Sequence, residues 1–214
     1  MNVSIDRMQI EDVPDVSRLE RRCFSNSWPQ SAYRRELRNE NNNYYIVLRD
    51  HAETARRSSG ESQEQRGGLN LLPFRRKGAD VPATAPIIGF AGMWILLDEA
   101  HVTTIGVAPE YRGRGLGELL LLDLFQEAMR RGAEWVTLEV RVSNDSAQSL
   151  YSKYGFTRQG IRRRYYSDNG EDAYIMWSPS IREPESIARF AALKAALAER
   201  LRGSTDDRVQ YSGG

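Results

Sequence analysis

The chain has 214 residues, 40% hydrophobic and 28% charged, with 30 Lys and Arg against 29 Asp and Glu. That size suits one domain, and the charge balance excludes a general polyanion binder and an acidic disordered tail. Cys23 is the only cysteine and His51 and His101 the only histidines, which excludes an internal disulfide and a cysteine-built zinc cluster and leaves little material for a histidine metal site. No window reaches the roughly 18 apolar residues of a membrane span, and the N-terminus lacks the apolar stretch of a signal peptide, so a cytoplasmic protein is expected.

Taken in chain order, Val3 to Ile5 leans toward a strand, and Asp12 is placed to cap a helix carrying Val13, Val16, Leu19 and Cys23 at three- and four-residue steps. Cys23 falls on that apolar stripe and reads as a small hydrophobe. Phe24 to Pro29 breaks the helix, and a second one continues through Tyr33 to Leu37. Tyr44 to Leu48 and Ile87 to Leu97 read as buried strands. Residues 50 to 86 between them carry Ser58-Ser59-Gly60, Gly67-Gly68 and almost no apolar period, and so predict a disordered insertion. Its excess of arginine suggests a solvated loop or a basic arm able to touch ribosomal RNA.

Beyond Ala100 the pattern is regular. A strand from His101 to Val107 leads through a glycine-rich turn into a helix bearing Leu116, Leu119, Leu120, Leu124, Phe125 and Met129, which Gly132 ends. A strand Trp135 to Val142, a helix opened by Asn144-Asp145, and strands Phe156 to Tyr166 and Ala173 to Trp177 follow. This alternation predicts an α/β domain over residues 1–178, a central sheet with helices on its faces. Residues 179–214 hold one more amphipathic helix, with Ile187, Phe190, Leu193, Leu197 and Leu201, and then a polar tail.

The sharpest chemical signal is the turn Arg112-Gly113-Arg114-Gly115-Leu116-Gly117. Glycines admit a ligand close to the backbone, the helix offers its first free N–H groups and positive dipole end, and two arginines add charge, so the turn predicts a pyrophosphate cradle. It is neither a P-loop nor a dinucleotide fingerprint, because Lys-Ser/Thr and the Gly-x-Gly-x-x-Gly spacing are both missing.

Arg112-x-x-Gly115-x-Gly117 resembles the acetyl-CoA loop of the GCN5-related N-acetyltransferase (GNAT) superfamily. The segment Leu138 to Asn144, followed by Ala147-x-x-Leu150-Tyr151-x-x-x-Gly155-Phe156, and the pair Tyr165-Tyr166 before Gly170-Glu171-Asp172-Ala173 are similar to its protein N-terminal branch of the RimI type. The resemblance implies a mixed, mostly antiparallel sheet whose central parallel strands, His101 to Val107 and Trp135 to Val142, splay around the cosubstrate acetyl-CoA. It implies that Ile105 and Val107 hold the pantetheine through their backbone, that Arg112, Gly113, Arg114, Gly115, Leu116 and Gly117 hold the pyrophosphate, and that Asn144 holds the cofactor arm. It further implies Glu139 and Tyr151 as the acid/base residues, with His101 where archaeal members pair a histidine with that glutamate. Phe24, Trp28, Tyr165 and Tyr166 would grip the N-terminus of a protein substrate, expected to be ribosomal. One departure is Ser27-Trp28-Pro29, where that branch often reads Pro-Trp-Ser.

The residue types suit acyl transfer independently: the amine must lose a proton and the departing thiolate must gain one. Burial on a core strand is expected to raise the Glu139 carboxyl into the range of a base. Each residue also has a plainer reading. Glu139 could make a salt bridge between strands, and Tyr151 and the loop aromatics could simply pack. His101 could be a satisfied half-exposed histidine. At this level a lysine or small-amine acetyltransferase and a silent acyl-CoA-binding module on the ribosome stay open as alternatives.

Overall fold

The computed structural model describes residues 2–52 and 85–206, the last four of these by their backbone alone. The predicted insertion lies outside the described residues except at its margins, where residues 50–52 and 85–86 are placed: the Asp50 N–H donates to the Pro86 carbonyl, and Ala85 is buried. The suggested RNA-contacting arm and the polar tail after residue 206 are likewise outside them.

Among the described residues seven strands form one sheet in the order β1 (Val3–Arg7), β2 (Asn43–Asp50), β3 (Ile87–Leu96), β4 (Glu99–Val107), β5 (Trp135–Arg141), β7 (Glu171–Trp177), β6 (Thr157–Tyr166). All neighbours are antiparallel except β4 and β5. Strand alternation sorts the side chains between two faces. Tyr45, Val47 and Phe90 meet helices α1 (Val13–Cys23) and α2 (Gln30–Leu37) on one face. Ile46, Leu48, Ala91, Met93, Val102, Leu138 and Val140 meet α3 (Leu116–Arg130) and α4 (Asp145–Lys153) on the other.

One local expectation changes. Asp12 does not cap α1 through a side-chain hydrogen bond; its carboxylate accepts the Gln9 N–H at 3.0 Å and the Arg49 guanidinium at 2.6 Å, a buried ion pair drawing it toward β2. The C-terminal helix α5 (Pro184–Asp206) finds its partner on the second face. Phe190 stacks 4.4 Å from Phe125 and also meets Tyr154, and buried Leu197 lies against Gly115. Arg200 reaches Glu118 in the first turn of α3, where Lys153 and the Tyr154 hydroxyl also bind. Burial works to raise Glu118, but those three hydrogen bonds hold it below the usual carboxylate range. No helix among the described residues is long and apolar enough to cross a membrane.

Candidate active site

The site begins where the parallel ladder fails. β4 and β5 pair from Glu99–Trp135 to Val102–Leu138 and no further, although both strands continue. The register against β3 shows why: Met93 faces Val102 and Gly92 faces Thr104, so Thr103 is an extra residue in β4. Such a bulge bends its strand, here away from β5. The Ala108 N–H donates to the Ile88 carbonyl on β3. By alternation the N–H groups of Val107 and Ile105 then point from β4 into the split, where the pantetheine reading requires them. The Val107 carbonyl is already engaged, by the Cys23 thiol at 3.3 Å and Arg112 Nε at 3.2 Å. Burial pushes that thiol up, which suits the hydrophobe expected at Cys23.

At the foot of the split, Gly113 and Gly115 adopt φ of +73° and +81°, a region in which a Cβ is strained. Gly115 is the N-cap of α3, and the first bond of the helix runs from Leu119 N–H to the Gly115 carbonyl. The N–H groups of Leu116, Gly117 and Glu118 therefore have no partner within the helix. Gly117 differs from the other two glycines of the turn: its φ is ordinary, and a Cβ there would meet nothing closer than Val107 Cγ2 at 4.0 Å. The fold makes no demand for glycine at this position, yet a side chain would project beside free N–H groups at a positive dipole end, so the cradle fits a pyrophosphate. Leu116 contributes only backbone, since its side chain is buried. Arg112 and Arg114 lie exposed beside the turn, tethered to the Val107 and Glu110 carbonyls. Asn144 spends its side-chain oxygen on the Ala147 N–H as cap of α4, leaving its amide NH₂ to face outward.

On the α1/α2 face of the split stands Glu139, its side chain 6% exposed, with Oε2 at 3.1 Å from His101 Nε2 and Oε1 at 3.1 Å from Arg162 Nε. The sequence-based expectation of a raised carboxyl is overturned. Burial does push Glu139 up, but the His101 hydrogen bond and the charges of His101 and Arg162 outweigh it and hold the carboxyl below its ordinary value. His101 is fixed on three sides: Trp94 lies 5.0 Å from its ring, Thr137 Oγ1 is 2.8 Å from Nδ1, and Glu139 is at Nε2.

Tyr151 occupies the opposite face, buried beside Phe156 in the α3/α4 core. Burial and the neighbouring Tyr166 push its phenol well above the ordinary value, and no group among the described residues bonds its hydroxyl. A buried tyrosine in that state keeps its proton and can donate it. Glu139 and Tyr151 thus lie on opposite faces of the sheet.

The four expected substrate residues separate into two pairs. Phe24 meets Phe90 edge-on at 6.2 Å and Trp28 meets Tyr33 at 5.7 Å, so each spends one face on the α1/α2 core. Tyr165 and Tyr166, T-stacked at 5.1 Å, stand beside Arg162 and Arg141, the latter 3.8 Å from the Tyr166 ring. Burial, with smaller contributions from Tyr165, Glu139 and Glu171, pushes Tyr166 up to about 12 against the lowering effect of Arg141. A clip that sequence reading misses joins the two pairs: Ser25 donates to Asp168 and Asn26 Nδ2 to Ser167 Oγ at 2.9 Å, while Arg141 binds both Asp168 and Glu171. Hydrogen bonds from Ser143 and from Arg141 hold Glu171 down to about 2, so the anion beside Arg141 persists. Sequence spacing carries no signal for these contacts, nor for Glu99, Thr137, Trp94 and Arg162, because each depends on strand register.

Residues 13–156 match the model of the Acetyltransferase (GNAT) family. Among curated proteins, one from Bacillus subtilis (strain 168), provisionally named a ribosomal protein bS18-alanine N-acetyltransferase, is 34% identical over 81% of this chain and 93% of its own length. The N-alpha-acetyltransferase RimI of Mycobacterium tuberculosis is 35% identical over 81% of this chain and 90% of its own. The crystal structure of the ribosomal-protein-S18-alanine N-acetyltransferase from Escherichia coli superposes with a TM-score of 0.61 at 28% identity, covering 84% of this chain and 94% of that one. With the split between β4 and β5 and the glycine cradle beneath it, these matches mean that the chain belongs to the GNAT family of acetyltransferases.

Proposed function

We propose that this acetyltransferase transfers acetyl from acetyl-CoA to the α-amino group of a protein, the N-terminal alanine of a ribosomal protein being the substrate favoured by the names of its relatives. The observation that carries the reading is the split itself, with a glycine cradle of free N–H groups at its foot and an ionised Glu139 on the face opposite Tyr151. Bound acetyl-CoA would supply an acetyl thioester. Arg112 to Gly117 would hold its pyrophosphate and the Ile105 and Val107 N–H groups its pantetheine, with the Asn144 amide beside the arm. Glu139, backed by His101, accepts the ammonium proton, and Tyr151 returns a proton to the departing sulfur. A cytoplasmic location suits this chemistry and substrate.

An α-amine suits this base better than a lysine. An α-ammonium of pKa near 8 is about one-tenth neutral at pH 7, against well under a thousandth for a lysine near 10.4. Arg162 beside Glu139 also disfavours a polycationic acceptor. A peptide beginning with alanine and free of lysine is expected to react at least about tenfold faster than an N-terminally blocked peptide with one lysine. Equal rates would overturn the α-amine assignment. In cells, mass spectrometry of protein N-termini with and without the enzyme identifies the substrate.

The clip between the loops belongs to this reading as the approach for the peptide. Removing both loop hydrogen bonds with Ser25→Ala and Asn26→Ala, each bond contributing about 0.5–1.5 kcal/mol, is expected to raise the peptide KM by roughly fivefold. The Kd for acetyl-CoA is expected to stay at its wild-type value, because neither side chain belongs to the cradle. An unchanged peptide KM would detach the clip from substrate binding.

A further inference from the structure

Thr137 stands on β5 directly across the parallel ladder from His101 and is 2% exposed. A hydroxyl has one hydrogen to give and lone pairs with which to accept, and burial makes each unmade bond costly. Thr137 gives its hydrogen to Glu99 Oε1 at 2.6 Å. At His101 Nδ1, 2.8 Å away, it can then only accept, so Nδ1 carries a proton. A neutral imidazole has a single N–H, and with that hydrogen at Nδ1 the lone pair of Nε2 is what faces Glu139 Oε2 at 3.1 Å. Two electron-rich atoms at that distance attract one another only when a proton lies between them.

We propose that Glu99 and Thr137 are positioning residues: by holding the Nδ1 proton of His101 they make Nε2 the nitrogen that stores the proton Glu139 takes from the acceptor amine. The proposal rests on the reading of Glu139 as the group facing that amine. In the step, one N–H bond of the ammonium breaks and its electron pair stays on nitrogen as the nucleophile's lone pair. The proton crosses Glu139 Oε2 and forms the Nε2–H bond, so the positive charge moves from the ammonium to the imidazole ring and Glu139 ends as it began, a carboxylate.

This arrangement gives the proton a resting place beyond Glu139, so the carboxylate need only pass the proton on and is free again after each transfer. The groups around the pair agree with it. Glu99 from β4 lies behind Thr137, Arg162 from β6 takes the far oxygen of Glu139, Tyr165 is close enough to feel the Glu139 charge, and Trp94 from β3 covers the ring.

Two measurements test the proposal. With His51 as the only other histidine, nitrogen-15 NMR of the wild-type enzyme reads the tautomer of His101 directly, a His51→Asn variant giving the assignment. In the neutral ring the proton is expected on Nδ1 in the wild type and on Nε2 in Thr137→Val. A wild-type ring already protonated on Nε2 would overturn the proposal without need of any variant. In kinetics on an α-amine peptide at pH 7, Thr137→Val and Glu99→Leu are expected to lower kcat about tenfold with acetyl-CoA KM unchanged, the gap closing as pH rises, and Thr137→Ser to restore the rate. A low kcat in Glu139→Gln beside a wild-type kcat in Thr137→Val would overturn the proposal alone. A wild-type kcat in Glu139→Gln would overturn the acid–base reading beneath it.

Discussion

Glu139→Gln is expected to lower kcat on an α-amine peptide by about 10²–10⁴ at neutral pH, the range for loss of a positioned acid–base group. The amide keeps the size of the carboxylate and can still accept from Arg162, so the fold is spared, but it cannot take a proton. The sign of the pH dependence follows from the groups involved. Glu139 is held below its ordinary value, so it is ionised throughout the neutral range, and raising the pH adds nothing to its own capacity. What rises with pH is the fraction of neutral amine, which needs no base. The mutant therefore regains part of its rate as the pH passes about 8, and its profile climbs more steeply than that of the wild type. The affinity for acetyl-CoA is expected to stay constant, since the cradle lies on the other side of the split. Full pH–rate profiles of both proteins check this, and a mutant with wild-type kcat at pH 7 would remove Glu139 from the chemistry.

Gly117→Val is expected to raise the acetyl-CoA dissociation constant at least about tenfold, or roughly 1.4 kcal/mol, by placing a branched side chain beside the free N–H groups of the first turn of α3. Stability is expected to hold or rise. The φ at Gly117 is ordinary, a Cβ has room, and glycine costs a helix up to about 1 kcal/mol relative to alanine. Gly115 would make a poorer test: it combines a φ of +81° with a Cβ position 2.8 Å from Leu197 Cδ1, so substitution there strains the turn and crowds the Leu197 side chain of α5 as well. Calorimetric titration together with a melting curve separates binding from folding. Wild-type affinity in a folded Gly117→Val protein would refute the cradle.

The glycine turn and the helix after it were readable because they are local. Positive φ at Gly113 and Gly115, the free N–H groups and the apolar stripe of α3 all follow from residues within a few positions of one another. The same holds for the strand alternation that divides the core into two faces. Glu139 could be marked as a candidate from its place in a motif, but its charge state could not. Burial is legible from a strand pattern, whereas His101 lies 38 positions earlier and Arg162 lies 23 later, and both reach it only through the sheet.

By itself, then, the amino-acid order determined the elements, the cradle and the family resemblance, because periodicity, capping and turn chemistry act over one or two turns of chain. Tertiary structure alone decided what depends on register and packing. The single-residue bulge at Thr103 opens the sheet. The pairing of His101 with Thr137 builds the Glu99–Thr137–His101–Glu139 chain of hydrogen bonds. Leu197 and Phe190 draw the last helix onto the wall of the cofactor loop. A one-residue slip in either strand pairing would turn the same side chains to the other face, and it is the burial of one face against the core that specifies against it.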